Sequence, residues 1–349
     1  MMTKSEIPSA EPPSMAEALT RLVRRLFGAN YAAAAVARLS GGASQETWAF
    51  DAVASDAPTR RLILRRVPLR PSAKVGGMAI ETEARLMRAA KAAGVPSPQV
   101  LHVLTPEDDL GRGFVMARVE GETIPRKILR DEAFAGLRPR LAFEIGGILA
   151  RLHGIDPATF PELKVLSAAD ELAQLKETYR TDGQPRPVFE LAFRWIADHA
   201  PVEPAPSLVH GDFRHGNFIV DGEGVRAILD WELAHLGDPM RDLGWICTNS
   251  WRFGAIHHEV GGFGSLDQLA AGYEAAGGSK VDQARVRFWE VFGSLRWGVI
   301  CLSMLSRFDR GDKSIEPAMI GRRASETEID LLRLLAPRER KTISSSYSG

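Results

Sequence analysis

The sequence predicts an α+β protein of two lobes, an antiparallel sheet with a helix followed by a mostly helical second lobe. Three observations carry this. Short β-forming runs punctuated by Gly and Pro recur between Val36 and Val119. After Gly121 the apolar residues recur at helical spacing instead, as in Leu141, Ile145, Ile148, Leu149 and Leu152. A chain of 349 residues is long enough for a core divided into two lobes. Strands first and helices afterwards belong to the α+β class rather than to a parallel sheet. The expected division is a disordered tail over 1–13, a first lobe over 14–120, a second over 121–340 and a Ser-rich disordered tail over 341–349.

Composition narrows the partners. Lys plus Arg and Asp plus Glu both number 44, so the zero net charge gives no case for nucleic-acid binding. Cys247 and Cys301 sit in apolar surroundings and read as core thiols, not as a disulfide scaffold. Glu6, Glu11, Pro12 and Pro13 argue against a signal peptide. The apolar run from Phe288 to Leu305 is interrupted by Glu290 and Arg296, and reads as too short and too polar for a membrane span. A cytoplasmic location with no membrane partner is expected.

In order, Ser14 and Glu17 form a capping box for a helix carrying Leu19, Leu22, Val23, Leu26 and Phe27. Val36 to Phe50 reads as two strands joined by the small turn Ser40-Gly41-Gly42-Ala43-Ser44. Its glycines would let backbone N–H groups approach phosphate oxygens, although a plain hairpin turn has the same look. Arg61 to Pro68 is a strand ending in the basic pair Arg65-Arg66, and an edge-strand arginine facing solvent remains open for Arg66. In the helix from Met78 to Ala93, Glu83 shares the apolar face of Ile80, Leu86, Met87 and Ala90, whereas Glu81 falls beside Arg85 and Arg88. An acid on a buried face needs a partner, and Arg65 is available. Gly94 to Pro98 ends this helix; Val100 to Val103 and Gly113 to Gly121 follow as a strand and as a buried strand running into a connector. The stripe ending at His153-Gly154, then 170–179, 188–199, 266–276 and 282–308, read as helices, with His153 as a core or capping histidine.

The stretch from Leu208 to Asp242 holds the chemistry. Phe218-Ile219-Val220 and Val225 to Leu229 flank Asp221-Gly222-Glu223-Gly224, a hairpin pattern. A tight hairpin brings its outer ends together, so Asp212, Asn217 and Asp230 are expected within a few ångströms of one another. Two carboxylates and an amide, without thiolate, suit Mg2+ better than zinc. In phosphoryl transfer to an alcohol, one carboxylate takes or orients the hydroxyl proton while an Asn and another Asp hold metal. His210 reads as a brace for the loop, Asp238 as a helix N-cap, and Asp242 as an anchor for the loop backbone. Arg214 and His215 point towards nucleotide or acceptor.

His210-Gly211-Asp212-Phe213-Arg214-His215-Gly216-Asn217, followed by Ile228-Leu229-Asp230-Trp231-Glu232, resembles the catalytic segment of the aminoglycoside phosphotransferase and choline kinase-like family of small-molecule kinases. That resemblance covers the chain from about Val36 to the last helices and implies a bilobal protein-kinase-like fold. It also implies an ATP- or GTP-dependent transfer to a small alcohol, with Asp212 as catalytic residue and Asn217 and Asp230 as Mg2+ ligands. His210, Glu232 and Asp242 would support them. Ser44 would touch a phosphate, Met116 would back the nucleotide pocket, and the Ala117 carbonyl and Val119 amide would meet the adenine edge. Where the family usually has Lys on the phosphates, this chain has Arg65, paired by the same resemblance with Glu83.

The segment from Phe288 to Trp297, with Ile320-Gly321-Arg322-Arg323, resembles the family branch found beside or fused to acyl-CoA dehydrogenases, which implies a hydroxyacyl-CoA or hydroxy acid as acceptor. Arg285, Arg287, Arg296, Arg307, Arg310, Arg322 and Arg323 favour an anionic acceptor over a polycationic aminoglycoside. Three alternatives stand beside this. One is an aminoglycoside or other metabolite kinase. Another is a regulatory pseudokinase, suggested by Arg65. The last is a metallohydrolase using His210, Asp212 and His215.

Overall fold

The computed structural model describes residues 14–39, 45–68, 78–182, 184–312 and 315–336. It divides into two compact units. The first runs to Gly121 and includes Arg226–Leu233; the second comprises Glu122–Val225 and the chain from Ala234 onward.

In the first unit α1 (Met15–Phe27) opens on the Ser14–Glu17 capping box. The strands β1 (Ala32–Arg38), β2 (Glu46–Ala54) and β3 (Ala57–Arg66) follow, then α2 (Ile80–Ala92), β4 (Val100–Val103) and β5 (Gly113–Ala117). The sheet order is β1-β2-β3-β5-β4, antiparallel throughout. Alternation along β3 sorts its side chains. Leu62 and Leu64 join Phe50 and Val115 in a core closed by Leu19 and Val23 of α1. Arg65 takes the opposite face, beside Glu83 of α2. Arg66 is therefore not an edge arginine facing solvent. Its strand is the middle one, the residue is 7% exposed, and it donates to Glu46 and to the Leu110 carbonyl.

The second unit holds α3 (Pro125–Arg130), α4 (Arg138–His153), α5 (Ala168–Asp182), α6 (Pro187–Asp198) and the short strand β6 (Ser207–Val209). The hairpin strands β7 (Phe218–Asp221) and β8 (Gly224–Ile228) come next, and the division between units falls inside β8. Residues 226–233, placed with the second lobe by the sequence, thus cluster with the first unit, where the Ile228 N–H donates to the Pro96 carbonyl. Then come β9 (His235–Gly237), which pairs with β6, and α7 (Met240–Cys247), α8 (Leu266–Ala275), α9 (Gln283–Asp309), α10 (Ile315–Gly321) and α11 (Ala324–Leu335).

α9 corrects one expectation. It runs unbroken for 27 residues and is, by length and composition, long and apolar enough to cross a membrane, yet 67% of its most apolar window is buried within the fold. Glu290 does not interrupt it, because Arg252 and Arg287 neutralise that carboxylate at 2.7 and 2.8 Å. Cys247 and Cys301 are buried free thiols, both pushed up by burial.

Candidate active site

In the second unit the loop after β6 is built around Asp242, in the first turn of α7. Its carboxylate accepts from the His210 N–H at 2.7 Å and the Gly211 N–H at 2.9 Å. His153 Nε2 stands 3.2 Å from the same carboxylate, and Tyr273 Oη 3.0 Å from His153 Nδ1. A carboxylate only accepts, so the His153 proton is on Nε2. Burial pushes the Asp242 carboxyl up. The His153 hydrogen bond and the Arg241 charge work against burial and hold it well below the usual range. The Gly211 carbonyl accepts from Arg241 and Arg296, and Gly211 itself has φ 81°, the left-handed region a Cβ disfavours. Arg241 is in turn clamped by Glu171 at 2.6 and 2.7 Å.

This rigid segment presents Asp212, whose carboxylate is held from three sides. Oδ1 accepts from Trp245 Nε1 at 2.8 Å and from Arg214 Nε at 3.1 Å; Oδ2 accepts from Asn217 Nδ2 at 2.7 Å. Asn217 Nδ2 also reaches the Asp212 carbonyl at 2.8 Å, which leaves its Oδ1 as a carbonyl oxygen for another partner. His210 Nδ1 accepts from the Asp212 N–H at 3.3 Å, and the His210 ring is fully buried. Asp238 accepts from the Met240 N–H at the start of α7 and from Trp289 Nε1.

His215 does not point to nucleotide or acceptor. It is 1% exposed, its Nε2 is 2.7 Å from the Gly261 carbonyl, and Phe218, Phe253 and Phe263 surround the ring. Burial pushes it down to about 4, so it is neutral near pH 7. Among the described residues no group of three or more His, Cys, Asp or Glu is placed to hold a metal ion, so His210, Asp212 and His215 do not form the site a metallohydrolase requires.

In the first unit Arg65 gathers the acids. Its Nε lies 3.1 Å from Glu83 Oε1, and Nη2 lies 2.7 Å from Asp230 Oδ1 and 3.8 Å from Glu232 Oε2. Gln45 joins them, accepting from Arg65 Nε and donating to Glu83. Glu83 is 2% exposed; burial pushes it up to about 7 against the downward pull of Arg65 and Gln45. Asp230 and Glu232 keep about a third of their side chains exposed, at 36% and 35%. Asp230 adopts φ 64°, a left-handed backbone that Asp tolerates better than most residues.

Met116 is buried on β5 opposite Ile63 of β3. Beyond it the Ala117 N–H donates to the Gln99 carbonyl and the Arg118 N–H to the Arg61 carbonyl, while the Val119 N–H takes no hydrogen bond among the described residues. Ser44 lies outside the described residues. Asp212 and Asn217 are thus assembled in the second unit, and Arg65, Glu83, Asp230 and Glu232 in the first. Gln45, Trp245 and Arg241 escaped sequence reading; the spacing of Trp245, one turn from Asp242, was the available signal for one of them.

Residues 35–289 match the profile of the phosphotransferase enzyme family. Acyl-CoA dehydrogenase family member 10 of Mus musculus is 34% identical over 202 residues, 54% of this chain, and the chain spans only 18% of that relative's length. Among solved structures, a Ralstonia eutropha protein assigned as an aminoglycoside phosphotransferase superposes with TM-score 0.69 at 24% identity, covering 91% of this chain and 97% of that one. A mutant of aminoglycoside phosphotransferase APH(4)-Ia, in complex with AMP-PNP and hygromycin B, gives TM-score 0.59 at 16% identity, over 91% and 99% of the two chains. These likenesses share the protein-kinase-like architecture of a sheet-bearing first lobe and a helical second lobe.

Proposed function

The chain belongs to the phosphotransferase enzyme family, and on that premise we propose that it moves the terminal phosphoryl group of ATP or GTP to the hydroxyl of a hydroxy acid or hydroxyacyl-CoA. The family makes it a phosphotransferase of the small-molecule kinase kind, with a nucleotide as co-substrate. The observation that carries the reading is the carboxylate of Asp212, aimed by Trp245, Arg214 and Asn217 on a loop whose backbone is fixed by Asp242.

In this reading Asp212 orients the acceptor hydroxyl and takes its proton as the oxygen attacks the phosphorus. Asn217 and Asp230 would hold Mg2+, with Glu232 in support. Both offer the hard oxygen atoms that this cation prefers, and the partial exposure of Asp230 leaves room for waters. Bound Mg2+ supplies charge neutralisation at the β- and γ-phosphates. Arg65, positioned by Glu83, holds phosphate oxygens with Ser44, and the Ala117 carbonyl and free Val119 N–H take the base edge over Met116. The match to an acyl-CoA dehydrogenase family member supports the acceptor class.

The test is a panel of hydroxy acids, their CoA thioesters, aminoglycosides and choline, each with Mg2+ and ATP or GTP, followed by phosphorus NMR. Transfer to the first two classes is expected, and Asp212→Asn should lower kcat by about a hundred- to ten-thousandfold with nucleotide affinity kept. Transfer to aminoglycosides alone would refute the acceptor class.

A further inference from the structure

Most arginines that the sequence offers for an anionic acceptor are engaged elsewhere. Arg287 pairs with Glu290, Arg307 with Asp312 and Arg310 with Asp182, and Arg285 donates to the Val202 carbonyl. A different arginine stands at the reactive carboxylate. Arg214 touches Asp212 through Nε and the His215 carbonyl through Nη1, while its Nη2 takes no hydrogen bond among the described residues. Its side chain is 28% exposed, and its guanidinium carbon lies over the Trp251 ring, 4.6 Å from its centre.

That ring is itself braced. Trp245 lies 5.2 Å and Trp297 4.9 Å from Trp251, centre to centre. Arg296 and Arg323 cover the outer rings at 5.0 and 5.6 Å. The indole N–H groups of Trp251 and Trp297 are buried with no acceptor among the described residues. Buried donors without partners are costly, and such groups await an acceptor atom. The cluster is thus cationic and short of hydrogen-bond acceptors, its indole planes inclined 62° and 59° to one another.

We propose that Arg214, held over the Trp251 ring and against Asp212, reads the negative charge of the acceptor and thereby sets which hydroxyl reaches Asp212. The inference rests on the reaction proposed above. The Trp251 contact and the hydrogen bonds to Asp212 and the His215 carbonyl restrain the guanidinium before the ligand arrives, so little freedom is lost when its open edge meets a carboxylate or phosphate. Because the same side chain holds Asp212, the acceptor's charge and its reacting hydroxyl must lie only a few bonds apart. A free hydroxy acid meets that condition with its own carboxylate; a CoA thioester has its phosphates far from the hydroxyl.

Binding is read by tryptophan fluorescence, with a short hydroxy acid, its primary amide and its CoA thioester as probes. The free acid should give a saturable change, and Arg214→Gln should weaken its binding about tenfold, as expected for a charge-assisted hydrogen bond. Amide and nucleotide binding should stay unchanged, and Arg214→Lys should recover part of the loss. A larger dependence on Arg214 for the thioester than for the acid would place the charge that is read far from the hydroxyl and would overturn the proposal. Equal loss for acid and amide, no loss for either charged probe, or no saturable change with either in the unaltered protein would overturn the proposal. Asp212→Asn separates the two ideas: it should slow transfer by at least about a hundredfold while acid binding persists. Transfer at an undiminished rate in Asp212→Asn would refute the reaction, not the role of Arg214.

Discussion

Asp242 illustrates how much one buried carboxylate determines. It closes two backbone N–H groups of the loop and accepts a hydrogen bond from His153, so its removal leaves several buried donors unmatched. Asp242→Ala should cost about 3–5 kcal/mol, the usual loss when one partner of a buried charged network is deleted. Chemical denaturation checks it. The group's pKa is depressed in the folded protein, so its contribution is present above the ordinary value of 3.8 and is lost as pH falls through and below it. Asp242→Asn should therefore be less stable at neutral pH and lose less on acidification. Arg65 makes the opposite kind of claim, about binding. Arg65→Met leaves Glu83 buried without its cation and should weaken nucleotide binding by about tenfold or more, with partial recovery in Arg65→Lys, measured by calorimetry.

Among the helices, the crossing of α4 and α8 explains why His153 stands where it does. A Cβ at Gly272 would lie 1.9 Å from the Phe143 carbonyl oxygen, and one at Gly146 would lie 2.1 Å from the Leu269 carbonyl oxygen, so the two backbones touch only because both residues are glycine. This contact brings Tyr273 of α8 to His153 of α4, and His153 to Asp242. Gly272→Ala should cost about 1–3 kcal/mol by overpacking, visible as a lowered Tm, and should lower kcat more than nucleotide affinity because it disturbs the brace of Asp212. The crossing was not legible in the sequence, since isolated helical glycines carry no sign of what approaches them. The helices themselves were legible: the spacing of Leu141 to Leu152 foretells α4, and the apolar face of α2 singles out Glu83. The three-residue strands β6 and β9 were not, being too short to show alternation. His215 misled because a core histidine and a reactive one look alike beside an aspartate, and only its aromatic surroundings separate them. Trp245 and Trp251 gain their meaning from contacts that no local pattern reveals.

At the scale of the whole molecule, the proposed reaction divides the work: nucleotide recognition falls to groups of the first unit and proton transfer to groups of the second. Nucleotide at about a hundred times its Kd should stabilise the protein by about 2.7 kcal/mol. Thermal unfolding with and without nucleotide checks this, and the shift should persist in Asp212→Asn and shrink in Arg65→Met. The claim on which the rest depends is that Asp230 and Asn217 hold one cation beside Asp212. Its most direct test is a crystal structure with Mn2+ and a non-hydrolysable nucleotide, in which the anomalous signal locates the metal. The account expects that signal at about 2.0–2.2 Å from oxygens of both Asn217 and Asp230. A metal bound to neither, or carboxylates of Asp212 and Asp230 opening into separate spaces, would contradict it.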